Sequence, residues 1–140
     1  MTVRVLIVDD QEPVREVARM VVDLTDGFEV VGEAATGEDS VVTARVLRPD
    51  LVLMDVHLPG ISGLEATERI LAEPAPPVVL VLSTYEPAEY APRAVEVGAA
   101  AYIAKSVFDP RALAGAWEAA AAGRHGADAR NDAVYDEREA

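Results

Sequence analysis

At 140 residues the chain suits a single domain, and apolar residues at 51% exclude disorder over its whole length. A formal net charge of -13, from 25 Asp and Glu against 12 Lys and Arg, makes nucleic-acid phosphates and anionic membranes poor direct partners. Cysteine is absent, which excludes disulfides, thiolate metal sites and thiol catalysis, while no signal peptide and no bilayer-length apolar run is visible, so the chain reads as soluble and cytoplasmic.

Five strand–helix alternations follow in order. Residues 3–8 form a short, nearly continuous apolar run, as expected of a strand buried on both faces. Pro13 suits the first turn of a helix whose Val14, Val17, Ala18, Val21 and Val22 recur at helical spacing. A second strand is predicted over 28–32. Thr36 with Asp39 resembles a capping box and opens a helix to about residue 48, which Pro49 closes.

Residues 51–54 are the third strand, running into Asp55 and then into a loop over 56–63 marked by Pro59, Gly60 and Gly63. A helix is predicted over 64–73 and a β-branched fourth strand over 78–82. Ala91, Ala94, Val95 and Gly98 mark the next helical face, with Pro92 expected in its first turn. The fifth strand is predicted over 100–104, and Asp109-Pro110 caps a last helix with Leu113, Trp117 and Ala120 or Ala121 facing inward. Beyond Gly123 the composition turns polar, without apolar periodicity.

Strands separated by helices of this length imply right-handed crossovers and a parallel sheet covered on both faces. The expected fold is therefore α/β, a (βα)5 doubly wound five-stranded sheet in the flavodoxin-like order 2-1-3-4-5. In such sheets ligands bind beyond the carboxyl ends of the strands, and the polar residues gather there. Asp9 and Asp10 follow the first strand, Asp55 the third, Ser83 the fourth and Lys105 the fifth. Strands one and three are neighbours in that order, so the three carboxylates should converge.

Three converging carboxylates cannot all stay ionised without a counter-charge. A hard divalent cation and the ammonium of Lys105 both supply one. Oxygen donors alone favour Mg2+, with Mn2+ as a substitute, and Mg2+ shares its sites readily with phosphate. Asp55, emerging singly into an open Gly/Pro loop, is the best nucleophile toward phosphorus; Lys105 and the Ser83 hydroxyl would neutralise phosphoryl oxygens. Taken singly, an Asp pair after a strand is often a turn and helix cap, and a lone Lys or Ser at a strand end is usually just solvated. The five residues at one sheet edge carry the inference together.

The motifs VLIVDD at 5–10, LVLMDVHLPGISGLEA at 51–66, VLVLST at 79–84 and AYIAK at 101–105 resemble those of the receiver domain of two-component response regulators. The similarity covers about residues 3–122, so 1–122 is read as receiver and 123–140 as an acidic tail or the start of a linker. VVGEAATGED at 30–39 is similar to the LuxR-type (NarL/FixJ) subgroup. The resemblance implies Asp55 as phosphoacceptor, Asp9 and Asp10 as the acidic pair, and the main-chain carbonyl of His57 as a further Mg2+ ligand. It also implies Ser83 and Tyr102 as switch residues and Lys105 as the family's lysine. His57 and Tyr85 flank the site where the family tunes phosphoryl lifetime. Ser83 stands where Thr is usual, and Ser106 where many receivers have Pro.

The implied function is a CheY-like phosphorylation switch rather than a metabolic enzyme. It would take its phosphoryl group from a sensor histidine kinase and alter the face made by the fourth helix, fifth strand and fifth helix. Homodimerisation on phosphorylation fits that family, and direct nucleic-acid or membrane binding by this chain is not expected. The leading output is transcription through a DNA-binding domain outside these residues; a stand-alone regulator acting by protein contact is the alternative. A Mg2+-dependent phosphohydrolase with an aspartyl nucleophile is the reading of another class, but it usually carries Asp-x-Asp rather than adjacent Asp9-Asp10. A phosphorylation-independent interaction module often loses acceptor-site residues, which this sequence retains.

Overall fold

The computed structural model describes residues 2–84 and 87–125, without the side chains of 87–90 and 124–125. Tyr85, the side chain of His125 and the tail beyond it lie outside the described residues. The elements run β1 (Val3–Val8), α1 (Glu12–Asp23), β2 (Phe28–Ala34), α2 (Gly37–Leu47), β3 (Leu51–Asp55) and α3 (Gly63–Leu71). They continue through β4 (Val78–Ser83), α4 (Pro87–Glu96), β5 (Ala101–Ala104), a 3-10 turn (Lys105–Val107) and α5 (Pro110–His125). All strand pairs are parallel, in the order β2-β1-β3-β4-β5, as the sequence predicts.

Alternation along the strands divides the interior into two cores, because successive side chains point to opposite sheet faces. Leu6, Val8, Val52, Met54, Val79 and Val81 face one side with Ala44, Leu64, Ile70 and Ala94 from α2, α3 and α4. Val5, Ile7, Leu51, Leu53, Leu80 and Leu82 face the other with Ala18, Val22 and Leu113 from α1 and α5. Both faces are covered, so β3 and β4 are apolar up to their last residues, Asp55 and Ser83, and polar chemistry begins at those carboxyl ends.

The helix starts follow side-chain caps. Thr36 Oγ1 accepts from the Asp39 N–H at 3.0 Å, Ser62 Oγ from the Glu65 N–H at 3.1 Å, and Asp109 Oδ1 from the Ala112 N–H at 2.8 Å. The Ser62 cap starts α3 one residue before the expected position, and the helix ends two residues short of Glu73. α2 ends where Arg48 turns left-handed at φ 51°, just before Pro49. β2 runs two residues past Gly32 to Ala34, which carries Glu33 to the functional edge.

Two sequence expectations need correction. Pro92 lies inside α4, not in its first turn, and so removes one backbone donor from the helix interior. Val17, at an apolar-periodic position of α1, is 58% exposed, whereas Ala18, Val21 and Val22 are the buried residues of that helix.

Candidate functional site

The parallel register assembles the site. Val8 pairs with Met54, so the next residues, Asp9 and Asp55, leave adjacent strands side by side. Asp55 pairs with Leu82, and Ser83 with Ala104, which brings the Ser83 and Lys105 positions to the same edge. One carboxylate oxygen each from Asp9, Asp10 and Asp55 lies within 4.8 Å of the others. Asp9 and Asp55 are buried and Asp10 is exposed, so the cluster opens to solvent on one side.

Lys105 reaches into this cluster from the end of β5. Its Nζ lies 2.7 Å from Asp9 Oδ2 and 3.0 Å from Asp55 Oδ1. The other Asp9 oxygen accepts from the Gln11 N–H at 2.9 Å, so both oxygens of that carboxylate are engaged. Burial pushes the Asp55 carboxyl above the usual carboxylate range; Lys105 draws it back down, while the charges of Asp9 and Asp10 add to the rise. Burial opposes the Lys105 ammonium, but its hydrogen bonds to Asp9 and Asp55 and both their charges outweigh that and hold it above an ordinary lysine. The site thus favours protonated Lys105 firmly and ionised Asp55 only grudgingly, which is the condition in which an added cation is welcome.

The donor chemistry fits a hard divalent ion. Every side-chain ligand is a carboxylate oxygen, two are fixed by the sheet, and the exposed side leaves room for water, as Mg2+ requires. A cavity of about 400 Å3 lies elsewhere, beside Arg48, Pro77 and Trp117 near the amino-terminal end of β4. A cavity of about 60 Å3 sits beneath the cluster between Val17, Leu82, Lys105 and Phe108. Ser83 is 1% exposed at the end of β4, Tyr102 is partly buried against the α2–α4 core, and His57 is exposed in the β3–α3 loop.

Neighbouring residues to which the sequence assigned no part in the site hold this edge in shape. Gly63 N–H donates to Val56 O at 2.8 Å, and a Cβ at Gly63 would fall 1.8 Å from Asp55 O, so only glycine lets α3 begin this close to the end of β3. Glu38 accepts from the Ile61 N–H at 3.2 Å, and Gly37 admits the Ile61 backbone against α2. The Thr36-Gly37-Glu38 segment therefore anchors the loop after Asp55. Arg15 donates to the Asp9 carbonyl at 2.7 Å while bound to Glu33 and Glu12. The signal available for Glu33, Gly37 and Glu38 was the motif at 30–39 itself, which contains all three.

The response regulator receiver domain family matches residues 5–118, and the chain belongs to that family. It is 45% identical over 104 residues to the response regulator GacA of Pseudomonas viridiflava, covering 74% of this chain and 48% of that protein. It is 40% identical over 103 residues to the response regulator UvrY of Escherichia coli K12, covering 74% of this chain and 47% of that protein. The chain thus spans about half the length of the curated relatives it matches.

Among solved structures, a LuxR-family two-component response regulator from Aurantimonas sp. SI85-9A1 is 36% identical with a TM-score of 0.79, covering 88% of this chain and 87% of that one. The receiver domain of a NarL regulator from Mycobacterium tuberculosis is 26% identical with a TM-score of 0.77, covering 84% and 97%. These residues form the receiver domain of a two-component response regulator with the CheY-like fold. No helix among the described residues is long and apolar enough to cross a membrane.

Proposed function

We propose that Asp55 is the phosphoacceptor of a Mg2+-dependent switch in the cytoplasm. The observation that carries this reading is the convergence of Asp9, Asp10 and Asp55 within 4.8 Å, with Lys105 on two of them. Asp9, Asp10, Asp55 and the main-chain carbonyl of His57 would hold Mg2+, or Mn2+ in its place. When bound, the ion neutralises phosphoryl oxygens that would otherwise be repelled by the acidic cluster.

An Asp55 oxygen forms the new O–P bond as the P–N bond to the kinase's phosphohistidine breaks, and the imidazole leaves with the electron pair. Lys105 compensates charge on the transferred group, and the Ser83 hydroxyl donates to one of its oxygens. No side-chain base is required, since the nucleophile is already a carboxylate and catalysis is mainly positioning and charge compensation. As Ser83 and Lys105 close on the phosphoryl group, Tyr102 turns inward and the α4-β5-α5 face changes its affinity for partners, including a second copy of the chain.

For output, the lengths of the matched relatives and the LuxR-family likeness favour transcription control through a DNA-binding domain carried in a longer protein. The family match favours this switch over the phosphohydrolase reading. Incubation with Mg2+ and acetyl phosphate, followed by intact-mass comparison of wild type and Asp55→Asn, tests the acceptor. A phosphoryl adduct on wild type alone is expected; an adduct on both proteins, or on neither, refutes the assignment.

A further inference from the structure

We propose that Arg15 is a positioning residue for the cation site, acting through the peptide that joins Asp9 to Asp10; this rests on the reading of the acidic cluster as a Mg2+ site. Arg15 touches neither carboxylate of the pair by any contact described above. Its Nη1 donates to the Asp9 main-chain carbonyl at 2.7 Å. That carbonyl belongs to the Asp9–Asp10 peptide, which is planar, so fixing its oxygen fixes the position of the Asp10 Cα from which that side chain departs. The preceding peptide is held as well, because the Asp9 N–H donates to Ala34 O at 3.1 Å.

The guanidinium is itself held firmly. Its Nε donates to Glu33 Oε1 at 2.9 Å and its Nη2 to Glu12 Oε1 at 2.7 Å, leaving the side chain 15% exposed. Glu33 stands on β2 one residue before Ala34, so a single strand supports both peptides that flank Asp9. Only a forked, planar cation can make these three contacts in three directions at once; a lysine ammonium on a flexible stem cannot reproduce the arrangement. Asp10 is the exposed member of the cluster and has the least packing to orient it, so it depends most on its backbone.

Arg19 supplies an internal control. Its Nη1 also binds Glu33, at 2.6 Å, yet no contact joins it to Asp9 among those described. Both arginines are ion-pair partners of one carboxylate, but only Arg15 links that carboxylate to the acidic pair.

The sign of the effect separates positioning from simple electrostatics. Removing a positive charge beside a cation site should tighten cation binding through Coulomb repulsion relieved. Loss of positioning should weaken it. Supporting interactions of this kind are worth about 10–100-fold in metal affinity.

The test is Mg2+ titration of the full chain by calorimetry, with thermal melts and circular dichroism on the same samples, for wild type, Asp10→Asn, Arg15→Met, Arg15→Lys, Glu33→Gln and Arg19→Met. Wild type should bind Mg2+ and Asp10→Asn should lose it. Arg15→Met and Arg15→Lys should weaken binding by about tenfold, Glu33→Gln by less, and Arg19→Met not at all. Unchanged or tighter binding in folded Arg15→Lys and Arg15→Met overturns the inference while leaving the metal reading intact. Equal weakening in Arg19→Met also overturns it, as a general effect of the ion-pair cluster. Should Arg15→Met fail to fold, Arg15→Lys and Glu33→Gln decide by the same criterion. Absence of Mg2+ binding by wild type overturns the metal reading, and this inference with it.

Discussion

Replacing Gly63 by Ala tests the close approach of α3 to the end of β3. Gly63 is not among the glycines with positive φ, so backbone freedom is not the issue and space alone decides. The added methyl would sit 1.8 Å from Asp55 O and close to the Val56 backbone, none of which is a flexible side-chain end. The start of α3 must therefore retreat by more than about 1 Å to restore ordinary van der Waals contact. Overpacking of this kind costs about 1–3 kcal/mol, and straining or losing the Gly63 N–H bond to Val56 O adds about 1 kcal/mol. Alanine's better helix propensity returns about 1 kcal/mol, leaving a net loss of about 1–3 kcal/mol. Gly115 is the matched control: it lies exposed in α5 with nothing within 4 Å of an added Cβ, so Gly115→Ala should stabilise by about 0.5–1 kcal/mol. Urea unfolding of the two variants without Mg2+ gives both values. A Gly63→Ala protein as stable as wild type, with an unchanged m-value, refutes the steric reasoning.

Asp55→Asn should be more stable than wild type near pH 7 in the absence of metal. A carboxyl raised in the fold contributes stability below its unfolded pKa and loses it as pH rises through the folded value, so the gap should close below about pH 4. A less stable Asn variant at neutral pH would refute the raised carboxyl. Lys105→Met should lower stability at pH 7, with part of the loss regained on adding Mg2+, as judged by thermal melts. Because the folded Lys105 pKa lies above its unfolded value, the contribution is complete below about pH 10 and disappears as pH rises through the folded value. Wild type should thus show an alkaline loss of stability that Lys105→Met lacks; equal alkaline profiles would contradict the pairing.

The sheet was legible because its strands are buried on both faces. Runs such as 51–54 and 78–82 admit few other structures, and once the order 2-1-3-4-5 is chosen, the strand ends bring Asp9, Asp10, Asp55, Ser83 and Lys105 to one edge. What escaped was information that depends on helix rotation and close contact. Val17 fits the helical period yet is 58% exposed, at the small cavity beneath the acidic cluster rather than in the core. Gly63 reads as a turn residue, whereas its lack of a side chain serves an approach to Asp55 that no local pattern encodes. Arg15 reads as one more charge on an exposed helix face; its contact with the Asp9 carbonyl is accompanied by a bond to Glu33 in the part of β2 beyond Gly32.

Charge balance ties these features to the choice of ion. Three carboxylates and one ammonium leave two negative charges at the sheet edge, a deficit that one divalent cation removes. A monovalent ion leaves the cluster anionic toward an approaching phosphoryl group, and Lys105 alone cannot serve both Asp9 and Asp55 while also meeting that group. Lys105 at 2.7 Å from Asp9 and 3.0 Å from Asp55 is therefore best understood as an internal counter-ion that keeps the metal-free fold tolerable. On the proposed reading, a cation on Asp9 and Asp10 would relieve Lys105 of that duty and free it for a phosphoryl group on Asp55. On this view the acidity of the site is matched to a divalent ion in number as well as in ligand type, and Arg15, balanced by Glu33 and Glu12, shapes the cluster without cancelling its charge.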